Sequence, residues 1–199
     1  MPLSSPAVVD PYDTLRRHLQ TRVPLSDAEF DIFRGYVRPL ALSKRQHLLV
    51  AGEPCLYLAF VTQGCLRSYS LNAQGQEHTL QFAPEEWWVS DLHSFLTQQP
   101  STLNIDALEE SQVLLLAQAD LETIYVRCPI FERYIRLLMQ SRYVALQERV
   151  NASISQTAAE KYQHFLRKYP TIARRVPQHL IASYLGITPE SLSRVRRQL

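Results

Sequence analysis

Apolar residues along this chain change their spacing near residue 120. From 37 to 117 they come in short runs: VRPLAL, HLLV, LYLAFVTQ, CLRSYSL, HTLQF, WWVSD, LNIDAL and QVLLLA. Gly52, Gly64 and Gly75 punctuate them. Short strands broken by turns at this interval predict an antiparallel barrel or sandwich. Beyond Asp120 the apolar spacing becomes three and four. DLETIYVRC predicts a short helix with Asp120 as its N-cap, and Pro129 opens a long helix to about residue 152. Along it Phe131, Ile135, Leu138, Met139, Tyr143, Leu146, Val150 and Ile154 form one wide arc. One edge of the arc is expected to pack on the barrel and the other on a second copy of the chain. An ordinary buried helix in a monomer is the alternative. A further helix is expected over 155–168, ending before Pro170. Residues 13–34 read as short helices, with Ser26 and Glu29 as a capping box. Residues 1–11, with three prolines, read as a loose tail.

The last 24 residues, VPQHLIASYLGITPESLSRVRRQL, carry the most specific spacing. Ala182, Gly186, Leu192 and Val195 lie at offsets 0, 4, 10 and 13. That is the pattern of a helix-turn-helix: a small residue for close approach, a glycine at the turn, and apolar residues that close the core. Thr188 is the expected N-cap of the second helix and Pro189 its first residue. Leu192, Val195 and Leu199 share one face, whereas Glu190, Arg194 and Arg197 share the other. An exposed face of this kind can enter a major groove, where Arg pairs with guanine and Glu accepts from cytosine. Glu190, Ser191 and Arg194 are the expected base readers. Lys161, Arg167, Lys168, Arg174, Arg175, Thr188, Arg196 and Arg197 are the expected phosphate contacts.

The net charge of +2 says little until it is divided along the chain. Residues 150–199 hold eight Lys or Arg against two acids, while residues 68–126 hold nine acids and no Lys or Arg. The basic end coincides with the helix-turn-helix, which points to double-stranded DNA.

A strand-rich N-terminal part, a long helix and this helix-turn-helix resemble the Crp/Fnr family of bacterial transcription regulators, over roughly residues 20–199. Gly52-Glu53, Gly64 and Gly75 match turn glycines of its cyclic-nucleotide-binding-like jelly roll, and Glu190 and Arg194 match its base-reading pair. The resemblance implies an α+β chain. Residues 12–128 would be the jelly-roll effector domain, 129–153 a dimerisation helix, and 154–199 a helix-turn-helix domain without a wing. It also implies a homodimer paired through Ile135, Leu138, Met139, Arg142, Leu146 and Val150, with RNA polymerase as a further partner. Pro189 stands where well-known members carry another base-contacting Arg, so the half-site is expected to differ.

In that family the cyclic phosphate is held by Gly-Glu followed about ten residues later by Arg-Ser. Here the effector-pocket positions are Ser90, Asp91, Ser101 and Thr102, and the Arg is absent. A buried phosphate needs a cation or many donors, and residues 68–126 supply no cation. No cyclic-nucleotide response is therefore expected. A ligand-sensing or interaction protein that does not bind DNA is the alternative.

Other chemistries find little support. Three scattered cysteines do not supply the four ligands of an iron–sulfur cluster, nor a disulfide frame. His47, His78, His93 and Cys65 are conceivable haem ligands, though lone barrel histidines are more often structural. Trp87 and Trp88 are expected to divide between core and surface. No H-x-H pair, phosphate loop, G-x-S-x-G or H-E-x-x-H occurs, so no metal, no cofactor and no enzyme activity are expected. The N-terminus lacks the pattern of a signal peptide and no run is long enough to span a membrane, so a cytoplasmic protein without membrane contact is expected.

Overall fold

Each of the eight apolar runs forms a strand in the computed structural model, which describes residues 10–198. The strands are β1 (Val37–Leu42), β2 (His47–Leu49), β3 (Tyr57–Gln63), β4 (Leu66–Leu71), β5 (Glu77–Ala83), β6 (Trp88–Val89), β7 (Asn104–Ala107) and β8 (Ser111–Ala117). They build two antiparallel sheets in the orders β1-β8-β3-β6 and β2-β7-β4-β5. The jelly roll closes around one core that includes Phe60, Leu66, Ile105 and Leu114.

Helices α1 (Pro11–Gln20) and α2 (Asp27–Arg34) precede the roll, and α3 (Leu92–Thr97) lies within it. After it come α4 (Leu121–Arg127), α5 (Pro129–Ser155), α6 (Ala158–Lys168), α7 (Ile172–Arg175), α8 (Gln178–Leu185) and α9 (Pro189–Gln198). Ser26 and Glu29 form the expected capping box on α2.

Several expectations shift. Asp10 caps α1 and Pro11 is its first residue, so the expected tail loses both to a helix, and residues 1–9 lie outside the described ones. So does Leu199, expected beside Leu192 and Val195. Asp120 holds the N-cap position of α4 as expected but makes no side-chain cap bond, because the chain enters through a 3-10 turn, Gln118–Asp120, that leaves it already helical. The helix expected over 155–168 starts at Ala158 instead. Gln156 is extended, and Thr157 with Glu160 forms a second capping box that restarts the chain.

The C-terminal helices do not stand clear of the roll. Along β4 and β5, Leu66 and Ala83 face the inner core, whereas Cys65 and Phe82 face outward into a second one. That second core contains Tyr162, Phe165, Tyr169, Ile172, Leu180, Ile181, Ala182, Leu192 and Val195. The outer face of the second sheet is thus one wall of the helix-turn-helix core. Backbone bonds reinforce the seam. Ser183 Oγ donates to the Glu77 carbonyl at 3.0 Å and accepts from the Thr79 amide at 2.9 Å.

Two turn glycines differ in what they tolerate. Gly64 has φ +89°, and an added Cβ would overlap Ser111 Oγ and lie 2.7 Å from the Glu110 carbonyl. Gly186 has φ +66° in open space. Gly64→Ala should therefore cost about 3 kcal/mol and Gly186→Ala about 1 kcal/mol. Thermal unfolding of the two variants checks the order, and equal shifts would contradict it.

Candidate functional site

The turn between α8 and α9 follows from its sequence. Gly186 takes the left-handed conformation that ends α8, and Thr188 Oγ1 accepts from the Ser191 amide at 3.2 Å to start α9. Ala182 is fully buried, and Leu192 and Val195 close the core beneath α9. All four spacing positions thus do the packing their offsets imply.

The opposite face of α9 is open. Pro189, Glu190, Ser193, Arg194 and Arg197 line one shallow concavity. The Ser191 hydroxyl lies 3.2 Å from Thr188 Oγ1 and accepts from Arg194 at 3.1 Å, tethering that guanidinium to the start of the helix. Arg197 donates to the Ser193 carbonyl at 3.4 Å. The Glu190 carboxyl is held below its usual range by its own backbone amide and the Thr188 hydroxyl, with Arg194 adding to the effect. It is an ionised acceptor at neutral pH. Ser193 was not singled out by sequence reasoning, although a position three after Glu190 shares its face.

The expected phosphate contacts divide. Arg167, Arg174, Thr188, Arg196 and Arg197 are exposed, whereas Lys161 and Lys168 are half-buried. Lys161 Nζ donates to the Ser153 carbonyl at 3.2 Å. Arg175 is committed elsewhere: it forms a two-pronged ion pair with Glu85 at 2.8 and 2.9 Å and a second with Glu109. One cation of the basic end is thus already spent on acids of the cation-free stretch.

The positions expected on the dimer helix divide too. Leu138 is buried in the core of the roll, and Arg142 donates to the Trp88 carbonyl at 2.7 Å, so both turn toward their own chain. Ile135 and Met139 are half-buried against the same core. Leu146 and Val150 are exposed at 57% and 50%, as are their neighbours Tyr143 and Ile154. The outward stripe therefore occupies the second half of α5.

At the effector positions Asp91 caps α3 through the Ser94 amide and accepts from Ser101 Oγ at 2.7 Å. Ser101 Oγ also accepts from the Leu103 amide at 2.9 Å. Ser90 is half-buried and Thr102 exposed. The cluster satisfies itself and presents a carboxylate where an incoming phosphate would need a cation. Of the tryptophans, Trp88 is buried and donates to Tyr134 Oη at 2.7 Å, while Trp87 is half-buried against Tyr169. The three cysteines are buried and free, and burial pushes the Cys65 thiol up to about 12. Among the described residues no three His, Cys, Asp or Glu gather as a metal site, and no helix is long and apolar enough to cross a membrane.

Residues 39–128 match the cyclic nucleotide-binding domain family. The fumarate and nitrate reduction regulatory protein of Vibrio cholerae is 26% identical over 185 residues, covering 86% of this chain and 72% of that one. Among solved structures, FixK2 from Bradyrhizobium japonicum superposes with a TM-score of 0.72 at 20% identity, covering 82% of this chain and 84% of that one. The c-di-GMP responsive global regulator CLP of Xanthomonas campestris gives a TM-score of 0.70 at 12% identity, covering 87% and 91%. The catabolite activator protein of Thermus thermophilus gives 0.58 at 20% identity, covering 88% and 84%. A cyclic nucleotide-binding jelly roll over residues 39–128, a long helix and a C-terminal helix-turn-helix, together with these likenesses, make the chain similar in fold and order of parts to Crp/Fnr transcription regulators.

Proposed function

We propose that this protein is a dimeric, sequence-specific DNA-binding transcription regulator of the cytoplasm whose jelly roll does not respond to cyclic nucleotides. The observation that carries the reading is the open face of α9, where Glu190, Ser193, Arg194 and Arg197 line one concavity above a closed helix-turn-helix core. An α-helix of this kind fits the major groove, and its Arg and Glu match the donor and acceptor pattern of a guanine–cytosine pair. Residues 12–128 serve as the effector domain, 129–153 as the pairing helix and 154–199 as the DNA-binding domain. Two recognition helices about 34 Å apart then read a near-palindromic site. RNA polymerase is a partner at the promoter.

Selection of binding sites from a random duplex pool tests the reading. Arg194→Ala is expected to cost about 1–3 kcal/mol on the selected site and to relax base preference there. Arg196→Ala should weaken all sequences alike and lower the salt slope by about one. Losses that are equal at both positions and independent of sequence would refute this division of roles.

The self-satisfied Asp91–Ser101 pair supports the second half of the proposal. Titration calorimetry with cyclic AMP should show no saturable heat. Micromolar binding would overturn it.

A further inference from the structure

A cleft of about 260 Å³ lies between the end of α1, the Trp87–Trp88 segment, α5 and the end of α6. It is separate from the Asp91–Ser101 cluster, none of whose residues lines it. From the geometry of this cleft we infer that it binds a small organic carboxylate with an apolar body, held between Arg22 and Arg142.

Arg142 is the central observation. It is largely buried, yet no carboxylate pairs with it among the described residues. Among the described residues its one hydrogen bond goes to the Trp88 carbonyl, and its guanidinium lies 5.2 Å from the Trp87 ring. A guanidinium has five donors in a planar fork, and a cation withdrawn from water without a counter-charge is costly. Arg22 approaches the same space from the turn after α1, bonded to Ser141 Oγ at 3.3 Å and to no acid among the described residues. Its charge adds to burial in holding the Arg142 pKa below the usual range. Two like charges are therefore gathered where one anion would relieve both.

The rest of the lining agrees. Lys168 adds a third cation, and Glu86 is the one acid, exposed at the rim. His18 Nε2 is buried with no partner. Burial, then Arg22 and Arg142, lowers the His18 pKa to about 4, so its ring is neutral and can donate one hydrogen bond. Trp87, Leu138 and Ala145 supply apolar surface for the ligand's body. A guanidinium fork suits a planar carboxylate, and the cleft of about 260 Å³ lies just under the ~300–1,000 Å³ range of drug-sized ligand pockets, which suits a small ligand.

The cleft also reaches the DNA-binding half. Lys168 sits 5.5 Å from the ring of Tyr169, a member of the second core, and Tyr169 packs on Trp87. An anion held by Arg22 and Arg142 would also attract Lys168, which lines the same cleft, and so draw the end of α6 toward the roll. This coupling rests on the DNA-binding reading, whereas the binding itself does not.

The test is calorimetry and tryptophan fluorescence on the full chain with benzoate, phenylacetate, succinate and inorganic phosphate. Saturable binding of benzoate or phenylacetate with Kd below about 1 mM is expected, with phosphate binding at least tenfold weaker. Arg142→Gln and Arg22→Gln should each weaken it at least tenfold, and Arg142→Lys less. Arg22 is exposed, so its variant keeps the test valid even if Arg142→Gln misfolds. No saturable binding by any of the carboxylates, unchanged affinity in Arg22→Gln, or equal binding of phosphate would overturn the site. A mobility shift with and without benzoate reads the coupling separately. Absence of any shift would count against the DNA-binding reading and leave the calorimetric result standing.

Discussion

Replacing Leu146 and Val150 together by glutamate is expected to turn the protein into a monomer and to lower its affinity for a palindromic operator by on the order of 10²–10⁴-fold. Both side chains are at least half exposed, so the variant should fold normally by circular dichroism. The first half of α5 is committed to its own chain through Phe131, Tyr134 and Leu138, all buried. The second half leaves Tyr143, Leu146, Val150 and Ile154 uncovered. Apolar residues repeating at three and four along an uncovered helix fit a paired helix from a second copy. Two linked recognition helices gain affinity because the second binds at high effective concentration, and separating them removes that gain. Sedimentation equilibrium reads the first effect and a mobility shift the second. A variant that remains dimeric would place the subunit contact elsewhere.

The second large effect concerns the outer face of the second sheet. Arg67, on β4, is nearly inaccessible. It bonds Asp106 on β7 through two nitrogens, at 2.8 and 3.2 Å, and Glu77 on β5 at 2.6 Å. Its guanidinium also lies 4.2 Å from the Tyr69 ring. Arg67→Ala would leave Asp106, itself only 9% exposed at the side chain, with no counter-charge. Removing one member of a buried pair costs about 3–5 kcal/mol, because the remaining ion stays buried alone. Replacing both, as in Arg67→Met with Asp106→Leu, should recover most of that loss, since a buried pair adds little over apolar packing. Denaturant midpoints of the single and double variants decide the matter. A loss under about 1 kcal/mol in Arg67→Ala would mean that water reaches Asp106 easily.

Much of this was legible in the sequence because it is local. A strand run announces itself within seven residues, and the helix-turn-helix offsets span fourteen positions whose packing is fixed by helix geometry alone. What escaped depends on partners far away along the chain. Arg175 looked free for phosphate because its acids, Glu85 and Glu109, stand 90 and 66 positions earlier. Leu138 shared an arc with Leu146, and the family resemblance grouped Arg142 with both; only the path of α5 across the roll separates them. The break at Gln156 had a signal, the T-x-x-E of Thr157–Glu160, masked by apolar spacing that continued through Ile154 and Ala158. Asp120 had the right residue type for a cap, but the 3-10 turn before it had no local mark.

Because Cys65 and Phe82 complete the core beneath α8, the C-terminal helices are not a portable module. Cut at the end of α5, they would expose Phe165, Tyr169 and Tyr184, whose rings lie within 6.2 Å of Phe82, and would lose the strand backbone that holds Ser183. A graft onto another sensor would need to bring β4 and β5 with it. In this chain α8 and the roll share one core: a chimaera that separates residue 82 from residue 184 is expected to uncover apolar surface on both sides of the cut.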